Sequence, residues 1–377
     1  MTYTMRPTPD LTVTQDNKQG WNQPDARRRG FHNLHKMYRR GLSYRSSQQL
    51  VLDMAADDAL AARPEVALLT RRPECSALVV VQGQKIRLSH HAPDFAPDQQ
   101  HSIQSITKMF GHLLAGLMVA KGRLDLGKPV EHYLPDIGSG YRGALVQDVL
   151  DMNVINNFVE DYDDPNADSY AQEAAMGWRL PVTGTEPTMH AFIHGITGDD
   201  LTNPSSEILY SSANTEVIAL IIDQLCPGAL PEMVYDVVEA AGFEHSFHIS
   251  TTRDAIPALS GGGCLTATDL ARFGLLLARV ANGEDTGVGH ADFTRNALTR
   301  KAGHMPPPRD YIRYADHVMT DGRWIGHSGY GGQFLMADPS TNTSIAYLSV
   351  LENASGFCAD YMAETIAAME ALLPSAG

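Results

Sequence analysis

The alternation of apolar and polar positions changes period twice along the chain, and each change marks a boundary between kinds of structure. Ala77-Leu78-Val79-Val80-Val81-Gln82-Gly83-Gln84-Lys85-Ile86-Arg87-Leu88 has the period of a strand, with a turn signal at Gln82-Gly83-Gln84, and predicts a β-hairpin. From about residue 101 to 300 the spacing becomes helical, predicting helices over 105–121, 145–152, 186–195, 212–225, 231–241 and 267–281. Strand signals return at Arg323–Gly326, Gly332–Ala337 and Thr343–Val350, with Asp338-Pro339-Ser340-Thr341-Asn342 as a turn, and a last helix follows over about 357–373. Strands at both chain ends around a helical middle predict an α/β fold of the α+β kind, in which one antiparallel sheet is completed by the two termini. The expected organisation is a polar, disordered tail over 1–20, a sheet-containing domain from 21–100 and 300–377, and a mainly helical domain over 101–299.

One helix stands out because it is apolar on almost every side. Lys108 opens the run Met109-Phe110-Gly111-His112-Leu113-Leu114-Ala115-Gly116-Leu117-Met118-Val119-Ala120, which ends at Lys121-Gly122. An all-round apolar helix is buried, and a lysine at its mouth needs a polar partner. Ser105 sits three residues earlier, and positions i and i+3 of a helix lie about 5–6 Å apart at Cβ. The plain alternative is a serine at a helix start beside a lysine reaching for solvent. The chemical reading is a hydroxyl activated by an amine.

Two further polar clusters suit that chemistry. Tyr210-Ser211-Ser212-Ala213-Asn214 precedes an apolar helix; its serines and Asn214 could serve as caps, but a phenol near a lysine ammonium is also drawn toward phenolate and can shuttle a proton. Gly326-His327-Ser328-Gly329-Tyr330-Gly331-Gly332 leaves a strand edge open to a ligand, where a backbone N–H could join that of Ser105 in an oxyanion hole.

Composition narrows the function classes. The 377 residues, 43% of them apolar, are enough for a large core. The net charge is −15, and residues 21–45 hold seven Lys/Arg against one acid, so the remainder carries −15 − 6 = −21 and nucleic-acid binding is excluded for the body. Arg27-Arg28-Arg29 is not followed by an apolar stretch of the kind an export signal needs, so a cytosolic location is expected and the basic segment is read as an arm packing on the acidic body or on a partner subunit. Cys75, Cys226, Cys264 and Cys358 lack ligand or disulfide spacing; His190 and His194 lack a third ligand. No metal, no cofactor and no membrane partner is expected; a homodimer stays open.

Taken together, S-x-x-K at Ser105–Lys108, a tyrosine-led motif at Tyr210 and His327-Ser328-Gly329 before a terminal strand resemble the penicillin-recognising serine hydrolases, the β-lactamase-like fold. Within them the chain looks most like the 6-aminohexanoate-dimer hydrolases, through Glu160-Asp161-Tyr162 with Asp164-Pro165, Gly177-Trp178-Arg179, Tyr210–Thr215, Gly262–Thr268 with Asp269-Leu270-Ala271-Arg272, and Gln333–Pro339, the likeness spanning about 21–352. The resemblance implies Ser105 as the acylated nucleophile, Lys108 as its activator, Tyr210 as general acid/base, and the N–H groups of Ser105 and Tyr330 as oxyanion donors. It also implies substrate contacts from Tyr162, Glu173, Trp178, Ser212, Asn214 and His327, with 158–178 as a lid rich in aromatics and acids. Two departures stand out. The usual Tyr-x-Asn has Ser212 in the third place, with Asn214 two further on, and the usual Lys-Thr-Gly is His327-Ser328-Gly329. The implied activity is that of a serine amidohydrolase on small linear amides. An esterase or D-peptide hydrolase is the alternative, and a β-lactamase or a non-catalytic acyl-binding protein are remoter readings.

Overall fold

The computed structural model describes Thr4, 21–162, 164, 166–181 and 184–375. The tail expected over 1–20 therefore falls outside the described residues except for Thr4. Among the described residues twelve strands form two sheets: β1 Gly41–Tyr44, β2 Asp53–Met54, β3 Cys75–Gln82, β4 Lys85–His91, β5 His101–Ser102, β6 Phe247–Ser250, β7 Gly263–Leu265, β8 Arg313–Ala315, β9 Val318–Thr320, β10 Ile325–Gly329, β11 Gln333–Asp338 and β12 Thr343–Ser349. The larger sheet has the order β2-β4-β3-β12-β11-β10-β9-β8 and is antiparallel apart from the β2–β4 pair. β3 from the first hundred residues pairs with β12 near the end, Val80 opposite Ile345, so the two chain ends do complete one sheet.

β3, β11 and β12 read as nearly continuous apolar runs because helices cover both faces. On one face Val79, Val81, Leu335 and Ala346 pack with Leu270 and Phe273 of the helix Ala267–Ala281. On the other, Leu78, Val80, Met336 and Tyr347 pack with Val66 and Leu69 of Pro64–Thr70 and with Met362, Ile366 and Met369 of Ala359–Leu372. Thr266 caps the helix Ala267–Ala281 by accepting from the Asp269 N–H.

The middle of the chain is not purely helical. A second sheet, ordered β1-β6-β7-β5, takes two of its strands from 247–265, and these short segments carry too few residues for a strand period to register. The predicted helices over 212–225 and 267–281 match in full, and 231–241 is found as Leu230–Ala241. His327-Ser328-Gly329 forms the end of β10, directly before β11.

The basic segment is built into the body. Arg27 is fully buried; its guanidinium donates to Asn22 Oδ1 at 2.8 Å and to the carbonyls of Leu351 at 2.6 Å and Asn353 at 2.7 Å. Arg28 grips Asp94 with both ends of its fork, and Arg39 and Arg40 both pair with Glu186. All four cysteines are free thiols. Among the described residues no single helix is long and apolar enough to cross a membrane.

Candidate active site

The chain reaches Ser105 through Gln104, whose φ of 48° lies in the left-handed region that non-glycine residues rarely adopt. A 3-10 turn, Gln104–Thr107, then runs into the apolar helix Lys108–Ala120. Thr107 fixes this turn: its hydroxyl donates to the Gln104 carbonyl at 2.6 Å and accepts from the Gly263 N–H of β7 at 3.1 Å. The end of β10 lies tight against it, since a Cβ on Gly329 would stand 2.6 Å from the Ile103 carbonyl oxygen. Only glycine allows that approach, which brings Tyr330 and Ser105 to the rim of one cavity.

Lys108 is fully buried, and its Nζ makes three hydrogen bonds: to Ser105 Oγ at 3.1 Å, to Ser212 Oγ at 3.0 Å and to the Ser260 carbonyl at 2.6 Å. Burial outweighs the pull of Glu160 and Glu216 and lowers its pKa to about 8. A serine hydroxyl thus faces an amine of which a usable fraction is unprotonated near neutrality. Ser212 passes the contact on, donating to Glu160 Oε1 at 2.8 Å, and the Tyr162 hydroxyl donates to the same oxygen. Glu216 accepts from the Ser260 N–H at 2.9 Å; burial raises its pKa to about 7.

Tyr210 lies with its ring centroid 5.1 Å from Lys108 Nζ. Burial first, and Glu160 second, raise its phenol well above the ordinary value, while hydrogen bonding to Ser105 lowers it in part. The phenolate expected from the sequence is therefore not the resting form: desolvation of the phenol outweighs the nearby ammonium, and Lys108 is the group poised to titrate. Behind Tyr210 stand Tyr314, edge-on at 6.0 Å, and His327, at 6.2 Å between ring centroids.

Ser105, Tyr162, Tyr210 and Tyr330 line a cavity of about 790 Å³. Its other walls are mostly apolar, with Phe158, Ile208, Met305, Met319, Phe357 and Met362 among them. Of the expected substrate contacts, Tyr162 is on this cavity. Glu173 and Trp178 are not. They line a recess of about 30 Å³, room for about one water, which shares Ser105, Tyr162 and Tyr330 with the main cavity. Trp178 donates to Ser250 Oγ at 2.7 Å, and Glu173 lies 3.8 Å from Arg179.

Three further expected contacts lie away from the main cavity. Ser212 spends its hydroxyl between Lys108 and Glu160, so it supports the lysine and does not face the main cavity. Asn214 is fully buried on the helix Ser212–Leu225 and accepts from the Tyr141 hydroxyl at 2.9 Å; two residues past Ser212, it has turned into the core. His327 is fully buried, bonded to Tyr314 at 3.0 Å and to the Ser328 carbonyl at 2.6 Å. Burial, with Lys108 nearby, lowers its pKa to about 3, so it is a neutral brace behind Tyr210.

The sequence reading passed over Glu216, Ser260, Tyr314 and Arg309. None of them carries a local signal, and Arg309, directly after Pro306-Pro307-Pro308, is followed at once by Asp310. Arg309 is only 4% exposed and lines the main cavity.

A 6-aminohexanoate-dimer hydrolase of Paenarthrobacter ureafaciens is 29% identical over 319 residues, 78% of this chain and 80% of its own length. A Bacillus anthracis structure bearing the 6-aminohexanoate-dimer hydrolase name superposes with a TM-score of 0.78 at 18% identity, over 98% of this chain and 97% of that one. A D-stereospecific amidohydrolase from a Streptomyces species has the same fold, with a TM-score of 0.58 at 16% identity over 82% of this chain and 98% of its own. The Beta-lactamase family model matches residues 59–368, and with that match the chain belongs to the beta-lactamase family of hydrolases.

Proposed function

We propose that the protein is a serine amidohydrolase that cleaves small linear amides of the 6-aminohexanoate-oligomer type through an acyl-enzyme. The observation that carries this reading is the 3.1 Å contact between Ser105 Oγ and a buried Lys108 Nζ whose pKa is about 8, on the edge of a cavity of about 790 Å³. Neutral Lys108 accepts the Ser105 proton as Oγ bonds to the amide carbonyl carbon. The N–H groups of Ser105 and Tyr330 hold the oxyanion. The C–N bond breaks as Tyr210 gives its proton to the departing nitrogen, leaving an acyl-serine, a phenolate and an ammonium. The buried ammonium stabilises that phenolate, which the resting enzyme does not contain. In the second half, the phenolate takes a proton from an attacking water. The acyl C–O bond then breaks, and Lys108 returns its proton to Ser105 Oγ.

The mostly apolar wall favours an uncharged methylene chain over a polar peptide, and the relative from Paenarthrobacter ureafaciens supports the same substrate class. Ser105→Ala removes the nucleophile and one Lys108 partner. It is expected to abolish turnover of a linear 6-aminohexanoate dimer and labelling by a fluorophosphonate, with circular dichroism unchanged; retained dimer hydrolysis in the variant overturns the proposal. The second reading, an esterase of the same fold, is favoured by His327-Ser328-Gly329 standing where a lysine-bearing motif is usual. Rates on matched ester and amide substrates separate the two.

A further inference from the structure

Outside the catalytic cavity, three guanidinium groups meet on one glutamate. β1 and β6 pair antiparallel with Gly41 opposite Ser250, so Arg39-Arg40, which run into β1, come beside Arg253, which follows β6. The Thr251 N–H donates to the Arg40 carbonyl at 3.1 Å and fixes that juxtaposition. Glu186 has a side chain only 5% exposed; one of its carboxylate oxygens accepts from Arg39 Nη1 at 2.8 Å and the other from Arg40 Nη2. Its backbone carbonyl accepts from Arg253 Nη1 at 3.3 Å.

The charges in this cluster do not balance. Arg39, Arg40, Arg253 and Glu186 line a cleft of about 440 Å³ that shares no lining residue with the catalytic cavity. They set three positive charges against one negative, an excess of two, in a chain whose net charge is −15. Asp254, the acid next in sequence, does not line the cleft, and its two oxygens accept from the N–H groups of Met189 and His190. A guanidinium carries five N–H donors, and among the described residues each of these three spends one. Arg40 Nε is buried with no partner, a state that is unfavourable unless a further group completes it. Stapling Glu186 to the start of β1 accounts for two of the ion pairs, but not for the third cation, the orphaned donor or the open volume.

We infer that this cleft is a binding site for a phosphoryl dianion, carried on a small phosphate ester. Arginine forks match phosphoryl oxygens in pairs, and two negative charges cancel the excess of two. A carboxylate or a sulfate ester brings only one. The cleft is larger than a phosphoryl group, and Leu180 and Pro181 offer the remainder of the ester an apolar wall. The site also adjoins the catalytic architecture: the Arg39 N–H donates to the Gly177 carbonyl at 3.0 Å, and Trp178, the next residue, lines the recess that reaches Ser105. The inference is independent of the acyl-transfer reading.

Calorimetric titration of the intact chain with phenyl phosphate and phenyl sulfate tests it, because the two ligands share a shape and differ by one charge at about pH 7.5. The wild type is expected to bind phenyl phosphate saturably and about 10-fold or more tightly than phenyl sulfate, the worth of a charge-assisted hydrogen bond. Arg253→Gln removes a cation and leaves both carboxylate pairs of Glu186 in place. It is expected to weaken phenyl phosphate by about 10-fold and bring the ratio toward one, with stability in urea unchanged. Arg253→Lys keeps the charge without the fork and is expected to retain part of the ratio. Equal affinities for the two ligands, no saturable binding, or an Arg253→Gln variant that binds like the wild type overturns the inference. Arg309 lines the catalytic cavity, so binding lost in Arg309→Met and kept in Arg253→Gln places the ligand there and overturns it as well. Inorganic phosphate separates the two sources of the group: tighter binding of phenyl phosphate supports an ester, and equal binding overturns the ester and leaves the free ion as occupant. No readout here requires turnover, so failure of this site and failure of the amidase reading are told apart.

Discussion

Glu216→Gln is expected to make the enzyme more active at neutral pH. Glu216 lies in the core beneath the site, where its Oε1 accepts from the Ser260 N–H at 2.9 Å and the Ser260 carbonyl accepts from Lys108 Nζ at 2.6 Å. A glutamine oxygen can keep the first bond, so the substitution removes charge and little geometry. That charge is one of two that raise the lysine against the larger effect of burial. An interaction of order 1 kcal/mol between two such buried groups corresponds to about 0.7 of a pH unit. With Lys108 at about 8, roughly a tenth of it is free amine at pH 7; Glu216, at about 7, is about half ionised there, so removing its charge lowers the lysine by about half that amount and makes the fraction about a fifth. The pH profile of kcat/KM reports the free enzyme, so its acidic limb is expected to move down and the variant to exceed the wild type by up to about twofold between pH 7 and 8. Above pH 9 both lysines are neutral and the rates converge. Below about 6 they converge again, because Glu216, at about 7, has taken up a proton in the wild type. The amide nitrogen of the glutamine occupies the place of Oε2, which has no partner, so a loss of about 1–3 kcal/mol in stability accompanies the gain. A limb that stays in place or moves up refutes the assignment of Lys108 as the base.

The wild type itself should show kcat/KM rising about tenfold from pH 7 to pH 9 as Lys108 loses its proton, measured on a p-nitrophenyl ester; a flat profile would count against it. Gly329→Ala pushes the end of β10 off the Ile103 carbonyl; on the proposed mechanism this displaces the Tyr330 N–H and is expected to lower kcat by about 10²-fold, read in steady-state assays at saturating substrate. Tyr314→Phe strips His327 Nε2 of its 3.0 Å partner and should destabilise the protein by about 1–2 kcal/mol in urea titrations, with Tyr210 less firmly held. Arg27→Met leaves the carbonyls of Leu351 and Asn353 without their donor and is expected to remove about 2–4 kcal/mol by the same measurement; unchanged stability would mean the amino-terminal segment is not docked as described.

The sequence alone determined the parts of this protein whose geometry is local. An i,i+3 spacing on an apolar helix is enough to put Lys108 beside Ser105, and strand-length runs bounded by turn residues are enough to predict β3, β4, β11 and β12 and their turns. A lysine in such a helix also has to find partners, and it did. The direction in which residues point within a motif was already less legible. Ser212 and Asn214 are two positions apart, which on a helix means opposite sides, and one side is the lysine while the other is the core. The remainder depended on chain crossings that no local pattern encodes. Ser260 is 152 residues from Lys108, Ser212 is 104 away, and Tyr314 meets His327 only because β8 and β10 flank β9 in one sheet. Burial is likewise a property of the assembled fold. It keeps His327 neutral and the Tyr210 phenol protonated, and it brings Lys108 within reach of neutral pH. The sequence therefore determined which groups could react, through spacing along one helix; the tertiary structure decided which of them hold a proton, because desolvation depends on every segment that packs around them.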